Sequence, residues 1–466
     1  MWRRRYDRFS AHEITPAATD RFERRLERVL REIGRVILTF TLGGLETDEQ
    51  DNVPARISWQ GQDYRRNRLT NKTLDTRFGQ VTLRRWFFQN RAGEPGIAPL
   101  DLRLGLFAGR MTPAVAEVTG RLAADMPQQA VLAVLRERFN ITPGVGTLRR
   151  VVSDLAERVR AHHDPAAIER LSQLLEQARQ STGKHEPLLQ VGRDGVYVQT
   201  RPCWEEASCA TLAVYDRSRR RLGTVYLGQM PESEQPTLTT RLTAVITGTL
   251  ASLGEHTPRL RYVTDAGSLQ QSYFRKVLEP MKHPLSGRRL KWTWGVDFYH
   301  ACEYVSKLAG ALFGTGEAAS AWAAKQRKTL RTKAGGVSRV IQSAAQQKRR
   351  HGLKGTKKDY ASAVGYLGNH RAHMDFATRR KRGDPIGSGV TEAGCKVIFN
   401  QRLKQSGMRW RAQTGQHIVD LRTAGRSGVW QAVWKQILTP TDDPPTITRQ
   451  ESQRNRRNSR KKGLLG

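Results

Sequence analysis

The order of apolar segments between residues 187 and 300 constrains the fold more than any other feature of this chain. Residues 187–200 form a β-type segment around Asp194, and residues 209–230 form a hairpin that turns on SRRR. A helix pattern closed by Gly254 follows, and two further strand patterns alternate with one more helix pattern. Early antiparallel strands followed by strand–helix alternation are typical of a mixed α/β sheet. The sequence therefore predicts a five-stranded mixed sheet.

The balance of charge indicates a polyanionic partner. The 466 residues carry 79 Lys and Arg against 43 Asp and Glu, a formal net charge of +36. A surface this basic repels itself in the compact state. Nucleic acid is the first candidate partner, because each neutralised phosphate releases counterions and adds affinity. A membrane is disfavoured, since we find no apolar run of about 18 residues and no apolar stretch after the basic MWRRRYDRF start.

The cysteines indicate a reducing compartment rather than a disulfide scaffold. Four of them are scattered along a long chain, at Cys203, Cys209, Cys302 and Cys395. Cys203 and Cys209 lie close together in sequence, but no second pair accompanies them. Two buried thiols are therefore a better interpretation of this pair than a zinc site.

The N-terminal third predicts two regions that precede the sheet. Apolar residues recur at helical spacing over 22–38, and residues 73–90 alternate as a hairpin with Gly79 mid-way. Further on, Pro127–Phe139 and Thr147–Val159 predict two helices across the turn NITPGVG, which resembles a helix-turn-helix. Arg149 and Arg150 would then meet DNA at the start of a recognition helix; a plain helical hairpin with solvated arginines is an equal alternative. The Asp164-Pro165 pair predicts the start of a separate helix that runs to about Gln180.

A basic helical segment interrupts the strand–helix alternation. Residues 301–391 hold 18 Lys and Arg against 5 Asp and Glu, a balance of +13, with an Ala-, Lys- and Gln-rich helical texture. The tail at 440–466 lacks apolar periodicity, which predicts a disordered basic segment. The expected organisation is given by these ranges: 1–112 (mixed helix and hairpin), 113–182 (helical, DNA-binding), 183–300 with 386–425 (catalytic core), 301–385 (basic helical insertion) and 440–466 (tail).

Three acidic residues occupy positions that suggest catalysis. Asp194 lies in the first strand, Asp265 ends the fourth, and Glu392 begins the helix after the insertion. If the first and fourth strands pair in parallel, the two aspartates lie side by side, and a helix on that face can bring in the glutamate. Convergent carboxylates repel one another unless a cation lies between them. Their oxygens suit Mg²⁺ or Mn²⁺, and two such ions would clamp the attacking and leaving oxygens of a phosphoryl displacement. Taken singly, each acid also has a structural interpretation: a turn, a strand end and a favourable helix-start charge.

Several motifs resemble the bacterial ISKra-type insertion-sequence transposases, which are DDE enzymes related to the Mutator-like group. The resemblance covers about residues 70–425 and is carried by RFGQVTLRRWFF, PLDLRLGL, RDG, TDAG, DFYH and the block from PIGSGVTEAGCK to SGMRW. It implies a ribonuclease H-like mixed-sheet catalytic core with an all-α insertion, after a mainly helical N-terminal DNA-binding region. It also implies that Asp194, Asp265 and Glu392 are the metal-binding catalytic triad. A zinc-binding module, which many transposases carry near the N-terminus, is not evident in this sequence.

The same resemblance supplies accessory candidates. Asp297 and His300 match the family's (C/D)xxH element; Asp297 is also a fourth possible metal ligand or a helix cap. Lys396 lies one helical turn beyond Glu392, where a cation suits a phosphate. Trp322 is a candidate for base stacking, although a lone Trp in an Ala-rich helix is more often core. Further candidate DNA contacts in the late block are Arg402, Lys404, Arg409 and Trp410.

We therefore expect a DNA transposase that binds terminal inverted repeats and target DNA, located in the bacterial cytoplasm at the nucleoid. Pairing of two DNA ends implies a homodimer or higher oligomer on DNA, with residues 22–37 as a candidate contact or a core face. Two alternatives stay open: a ribonuclease H-like nuclease or junction resolvase that only hydrolyses, and a non-catalytic DNA-binding derivative. The sequence leaves the recognised ends and any accessory RNA or protein undetermined.

Overall fold

The computed structural model describes residues 15–90, 95–201, 203–439 and 445–447. The chain divides into two compact units: Met1–Glu157 with Ile437–Gly466 form the first unit, and Arg158–Gln436 form the second unit. The tail predicted at 440–466 lies outside the described residues except for 445–447. Among the helices of the described ranges, none combines the length and apolar character needed to cross a membrane.

The elements are numbered in chain order. The strands are β1 (Arg56–Trp59), β2 (Gln62–Thr76), β3 (Gly79–Asn90), β4 (Leu188–Gln199), β5 (Trp204–Tyr215), β6 (Arg221–Gln229), β7 (Arg259–Thr264), β8 (Trp292–Val296) and β9 (Thr446–Ile447). The helices are α1 (Pro16–Gly43), α2 (Pro99–Arg103), α3 (Pro113–Asp125), α4 (Gln128–Phe139), α5 (Val145–Gln180), α6 (Pro236–Ser252), α7 (Ser268–Tyr273), α8 (Phe298–Phe313), α9 (Glu317–Thr332), α10 (Gly336–His351), α11 (Lys357–Asn369), α12 (Phe376–Lys381), α13 (Gly389–Cys395), α14 (Ala412–Arg426) and α15 (Trp430–Leu438). Both α7 and α13 continue into π-helical turns, Phe274–Leu278 and Lys396–Asn400, and the second turn is followed by the short helix Gln401–Leu403.

The first unit contains an antiparallel sheet in the order β3-β2-β1-β9. The predicted hairpin is confirmed, but β2 begins at Gln62, well before the predicted start at residue 73. The periodic helix at 22–38 is confirmed inside α1, which has no buried residue. Leu30 and Ile37 on this helix are 56% and 58% exposed, so the interpretation of this face as core is wrong.

The predicted pair of helices across a short turn is also present. Asn140 ends α4 in the left-handed conformation, with φ 52° and ψ 42°, and α5 begins at Val145. Asparagine tolerates this conformation better than most residues, so a tight reversal is possible here. Arg149 and Arg150 are exposed, and Arg149 Nε donates to Gln128 Oε1 at 3.4 Å. The helix-turn-helix role of this segment stays a prediction.

One helix boundary is wrong. The Asp164-Pro165 pair does not start a new helix, because α5 runs unbroken from Val145 to Gln180 with Pro165 inside it. A proline inside a helix removes one backbone hydrogen bond, so tertiary contacts must offset that loss. Asp164 supplies such contacts: its carboxylate accepts from Arg241 at 2.7 Å and lies 2.9 Å from His163 Nδ1. An ion pair with α6 therefore takes the place of the predicted cap.

The second unit is a mixed α/β structure built on the sheet β6-β5-β4-β7-β8. The pairs β4–β5 and β5–β6 are antiparallel, whereas β4–β7 and β7–β8 are parallel. This arrangement confirms the five-stranded mixed sheet. The strands β4, β5, β7 and β8 are buried along most of their length, whereas the edge strand β6 is mostly half-buried; in β5 every residue from Ala207 to Tyr215 is buried.

The basic helical segment shares its core with the sheet. Apolar residues of α8, α9, α10 and α11 join the same buried cluster as β4, β5, β7 and β8. Leu308, Leu330, Val340 and Leu367 are examples, each at most 1% exposed. Residues 301–385 are therefore helical, as predicted, and pack as part of the second unit rather than as a separate core.

Candidate active site

The parallel strands bring two of the predicted acids to the same edge of the sheet. The pairing of β4 with β7 runs from Leu188 opposite Arg259 to Val191 opposite Tyr262. Continued with the same offset, this register sets Asp194 opposite Asp265, the residue that follows β7. Residues opposite one another in parallel strands project to the same face. The observed pairing ends at Val191 and Tyr262, so the side-by-side arrangement of these aspartates stays a prediction that the register favours.

Helix α13 carries the third acid to this face. Gly192 in β4 and Gly394 in α13 allow close approach: a Cβ on Gly192 would lie 2.0 Å from Thr391 Oγ1. Thr391 in turn shares a 2.8 Å hydrogen bond with Thr211 of β5. Because Glu392 is the next residue, these contacts fix its backbone above the sheet. Its side chain is exposed, and Ser388 Oγ donates to its Oε1 at 3.4 Å.

The half-buried Asp194 carboxylate lies in an acidic environment. Burial raises the pKa of Asp194 to about 6, and the charges of Asp265 and Glu392 act in the same direction. Hydrogen bonds partly offset this rise: Gly195 N donates to Oδ1 at 2.8 Å, and Cys395 Sγ donates to Oδ2 at 3.7 Å. The three predicted acids are therefore close enough for their charges to interact.

The turn after β7 holds Asp265 in a strained backbone. Ala266 has φ of 70°, which costs about 1–2 kcal/mol for a residue with a Cβ. Hydrogen bonds maintain the conformation: Gly267 N donates to Asp265 Oδ1 at 3.1 Å, and Gln271 Nε2 donates to the Ala266 carbonyl at 2.7 Å. Tyr366 of α11 donates its hydroxyl to the Asp265 carbonyl at 2.8 Å. The helical segment thus takes part in positioning this acid.

Asp297 is a helix cap. It follows β8 beside Asp265, and its backbone N–H donates to the Thr264 carbonyl at 2.8 Å. Its fully buried side chain accepts from His300 N at 2.6 Å and also from Ser388 N. These bonds confirm the capping interpretation. They also join the start of α8 to the turn before α13, so Asp297 helps to position Glu392.

The donor chemistry of the triad suits a divalent cation, but its present geometry does not form a ligand set. Two aspartates and a glutamate offer only oxygens, the ligands that Mg²⁺ and Mn²⁺ prefer. Across the described residues, however, no group of three or more His, Cys, Asp or Glu is close enough together to hold a metal ion. Backbone N–H groups hold Asp194 and Asp265, whereas Glu392 is exposed and accepts one long hydrogen bond from Ser388. Cation binding would therefore require the three carboxylates to move closer together.

His300 lies at the border between the triad and the helical segment. Its Nδ1 is 3.0 Å from Glu303 Oε2, and its ring meets those of Tyr304 and Tyr366 edge-on. The two tyrosine rings stack with centroids 3.7 Å apart. His300 therefore contacts the residue that holds Asp265, which is consistent with a positioning role.

The late basic candidates separate into exposed and buried groups. Lys396, Lys404 and Arg409 are exposed. Arg402 is only 2% exposed and its guanidinium lies 5.2 Å from the ring of the half-buried Trp410. The interpretation of Arg402 as part of an exposed DNA surface is therefore wrong, because its charge is turned into the fold.

Two further predictions are corrected by burial. Trp322 is 8% exposed, and its Nε1 donates to Ser343 Oγ at 3.2 Å, so it is a core residue and not a free stacking platform. Cys203 is exposed, so the pair with Cys209 is not two buried thiols. Cys209 instead lies beside Cys395, and their hydrogen bond, together with burial, raises the pKa of the Cys395 thiol.

Sequence reasoning missed three residues of this site: Ala266, Tyr366 and Cys395. Only Ala266 had a sequence signal, since Asp-Ala-Gly places a turn directly after a strand. Tyr366 is separated from Asp265 by about a hundred residues, so its role depends on the packing of α11. No known protein-family profile matches this chain, and no curated protein matches it at a significant level. The resemblance to ISKra-type transposases therefore stays an expectation from its motifs.

Proposed function

We propose that this chain cuts and joins DNA as a DDE-type transposase with a ribonuclease H-like core, dependent on Mg²⁺ or Mn²⁺. One observation carries the proposal. In a chain with a net charge of +36, the strongest charges acting on Asp194 are those of two other acids, Asp265 and Glu392. Such an arrangement is costly without a cation, and perturbed carboxylates of this kind concentrate at functional sites.

The topology of the second unit supports the ribonuclease H-like assignment. Counted along this unit, the sheet has the strand order third, second, first, fourth, fifth, and the first three strands are antiparallel. Asp194 lies in the first strand and Asp265 directly follows the fourth, and these two strands are the central parallel pair. Ligand sites in sheets of this kind lie beyond the carboxyl ends of the parallel strands.

A basic groove that begins at Tyr299, close to Asp297, supports DNA as the substrate. The groove has a volume of ≈ 520 Å³ between α8 and α9, and its lining includes Tyr299, three cations (Arg327, Lys328, Arg331) and one acid (Glu303). Tyr299 is 64% exposed and packs beside Gly387, next to the buried Asp297. A phosphate backbone in contact with the three cations would leave a base free to stack on the tyrosine ring.

The chemistry assigned to each residue follows from its environment. Asp194, Asp265 and Glu392 would hold the cation, which would neutralise charge on the transferring phosphoryl group and activate water or a DNA 3′-hydroxyl. Asp297 and Tyr366 touch no reacting atom in this scheme; they position Glu392 and Asp265 through backbone hydrogen bonds. Cation binding favours the ionised form of Asp194, so we expect the affinity of the metal-free protein for the cation to fall as the pH drops below about 6.

The test is cleavage and joining of labelled duplexes that carry the DNA flanking the coding region, with Mg²⁺ or Mn²⁺ present. We expect Asp194→Asn, Asp265→Asn and Glu392→Gln each to abolish nicking and strand transfer while DNA binding persists. The loss of several kcal/mol of charge stabilisation corresponds to a rate decrease of about 10³-fold or more. Asp297→Asn should retain measurable hydrolysis.

Glu317→Gln is the matched control, because Glu317 is an exposed acid at the start of α9. It should leave both reactions unchanged. Nicking without any joining would favour the hydrolytic alternative. An inactive Asp297→Asn beside an active Glu392→Gln would make Asp297 the third ligand and would overturn the triad proposed here.

A further inference from the structure

A second charged site lies on the sheet face that carries Asp265, but at the opposite end of β7 from that residue. Arg259 and Arg261 are two residues apart on β7, so both project to the face that carries Asp265. In β8, Thr293 lies opposite Arg261, and Gly295 follows on the same face. At about 3.3 Å per residue, Arg261 and Asp265 are separated by about 13 Å along the strand direction.

Arginines outnumber acids at this place. Asp384 has a fully buried side chain and accepts from three of them: Arg219 at 3.3 Å, Arg259 at 2.9 Å and Arg261 at 2.6 Å. Burial lowers the pKa of Arg261 to about 10, and the ion pair with Asp384 offsets only part of this shift. The single negative charge of Asp384 therefore does not neutralise the positive charges of the three guanidinium groups.

Arg379 of α12 adds a fourth guanidinium. It is 6% exposed and lies against Gly295, where a Cβ would be 1.2 Å from its Nη2. Its Nη1 donates to the Val296 carbonyl at 3.1 Å. By contrast, Arg379 Nη2, Arg261 Nε and Arg219 Nε are buried and have no hydrogen-bond partner among the described residues. Buried donors without a partner are costly, and two of these three side chains, Arg261 and Arg379, line a cavity in which a ligand can supply acceptors.

A cavity is present where the acceptor is needed. It has a volume of ≈ 130 Å³, and its lining includes four arginines (Arg259, Arg261, Arg379, Arg382) against two aspartates (Asp375, Asp384), an excess of two positive charges. Asp375 already accepts from Thr378 N at 3.3 Å as the cap of α12. An adjoining cavity of ≈ 580 Å³ shares Arg259 and Arg382, and its lining adds three cations (Arg288, Arg289, Lys291) against two acids (Glu186, Glu255).

We propose that this cluster of Arg259, Arg261, Arg379 and Arg382, the arginine pocket, binds a phosphate group. Planar guanidinium groups match the oxygens of phosphate in paired hydrogen bonds, and a doubly charged oxyanion balances the excess charge of the lining. The pocket is separate from the candidate active site, so it does not depend on the proposed function. The phosphate group belongs either to a free anion or nucleotide or to the DNA backbone.

The test is thermal melting of the full chain in EDTA, with 5 mM sodium phosphate compared with sodium chloride of equal ionic strength. Phosphate should raise the melting temperature by about 3 °C or more, because a ligand that binds only the folded state stabilises it. Arg379→Gln should lose this shift, and so should Arg382→Gln, an exposed position where folding is not at risk. Arg349→Gln removes an equal charge at an exposed position in the last turn of α10 and should keep the shift.

Asp384→Asn distinguishes a pocket that binds phosphate from a set of ion pairs that needs no ligand. This variant should melt lower than the parent in chloride but gain more from phosphate, because one more positive charge is uncompensated. A short DNA duplex distinguishes the sources: for a backbone phosphate, Arg379→Gln lowers the salt slope of DNA binding by about one, whereas for a free anion the slope is unchanged. Equal melting in phosphate and chloride, or a shift that persists in Arg379→Gln and Arg382→Gln, would overturn the proposal. Neither result bears on DNA cleavage.

Discussion

Replacing Asp194 by asparagine should make the metal-free protein more stable at neutral and alkaline pH. Burial and the nearby acids raise the pKa of this carboxyl from 3.8 to about 6. The difference corresponds to about 3 kcal/mol between the two protonation states. Below pH 3.8 the group is protonated in the folded and unfolded chain, so it costs nothing. As the pH rises through 6 it ionises in the folded state as well, and the full penalty weakens the fold.

Asparagine removes the charge while keeping the shape. Its carbonyl oxygen can still accept from Gly195 N, but its amide replaces the oxygen that accepts from Cys395. We therefore discount the gain to about 2 kcal/mol at pH 8, and to about half of that at pH 5, where the wild-type carboxyl is largely protonated when folded. For a unit of this size, 2 kcal/mol corresponds to a rise in melting temperature of about 4–8 °C.

The assay is thermal melting of wild type and Asp194→Asn in EDTA at pH 5 and pH 8, repeated at pH 8 with Mg²⁺. The cation should stabilise the wild type and have little effect on the variant, since a metal that binds the folded state adds stability only where its ligands remain. Asp164→Asn is the control of opposite sign. Burial opposes ionisation of Asp164, but hydrogen bonds from His163 and Arg241 outweigh it and hold its pKa below the usual range. That variant should therefore lose stability at pH 8. A destabilised Asp194→Asn, or equal stabilisation of both proteins by Mg²⁺, would refute the reasoning.

Three further predictions concern the surroundings of the site. Ala266→Gly should relieve the positive φ and stabilise the fold by up to about 1 kcal/mol in thermal melts, yet reduce the cleavage rate, because glycine holds Asp265 less firmly. Tyr366→Phe keeps the stack on Tyr304 but removes the hydrogen bond to the Asp265 carbonyl. The cleavage rate should therefore fall about tenfold, and the free energy of unfolding should fall by about 1 kcal/mol. An unchanged cleavage rate would exclude a positioning role for Tyr366. DNA affinity measured between 50 and 200 mM salt should fall steeply, and a flat response would contradict a phosphate-dominated interface.

The sequence by itself determined the local elements of the second unit and the identity of the candidate acids. Strand and helix periods are set by neighbouring residues, so the three early strands, the later alternation and the helical texture of the basic segment were all predictable. The helix before β7 made a parallel partner for this strand predictable, but the choice of β4 as that partner was only a condition of the sequence argument, and the fold decided it. Asp194 and Asp265 were candidates on that condition.

Tertiary structure alone decided which side chains meet across long stretches of sequence. Helix α5 continues through Pro165 because an ion pair with α6 compensates a break that local rules predict. The sequence predicts an exposed cation at Arg402, but packing buries this side chain against Trp410. The arginine pocket could likewise not be predicted from the sequence, because its residues come from β7, from α12 and from the segment that follows α12. Folding brings these side chains around one cavity, where Asp384 accepts from Arg259 and Arg261 and the remaining positive charge is available to an anion.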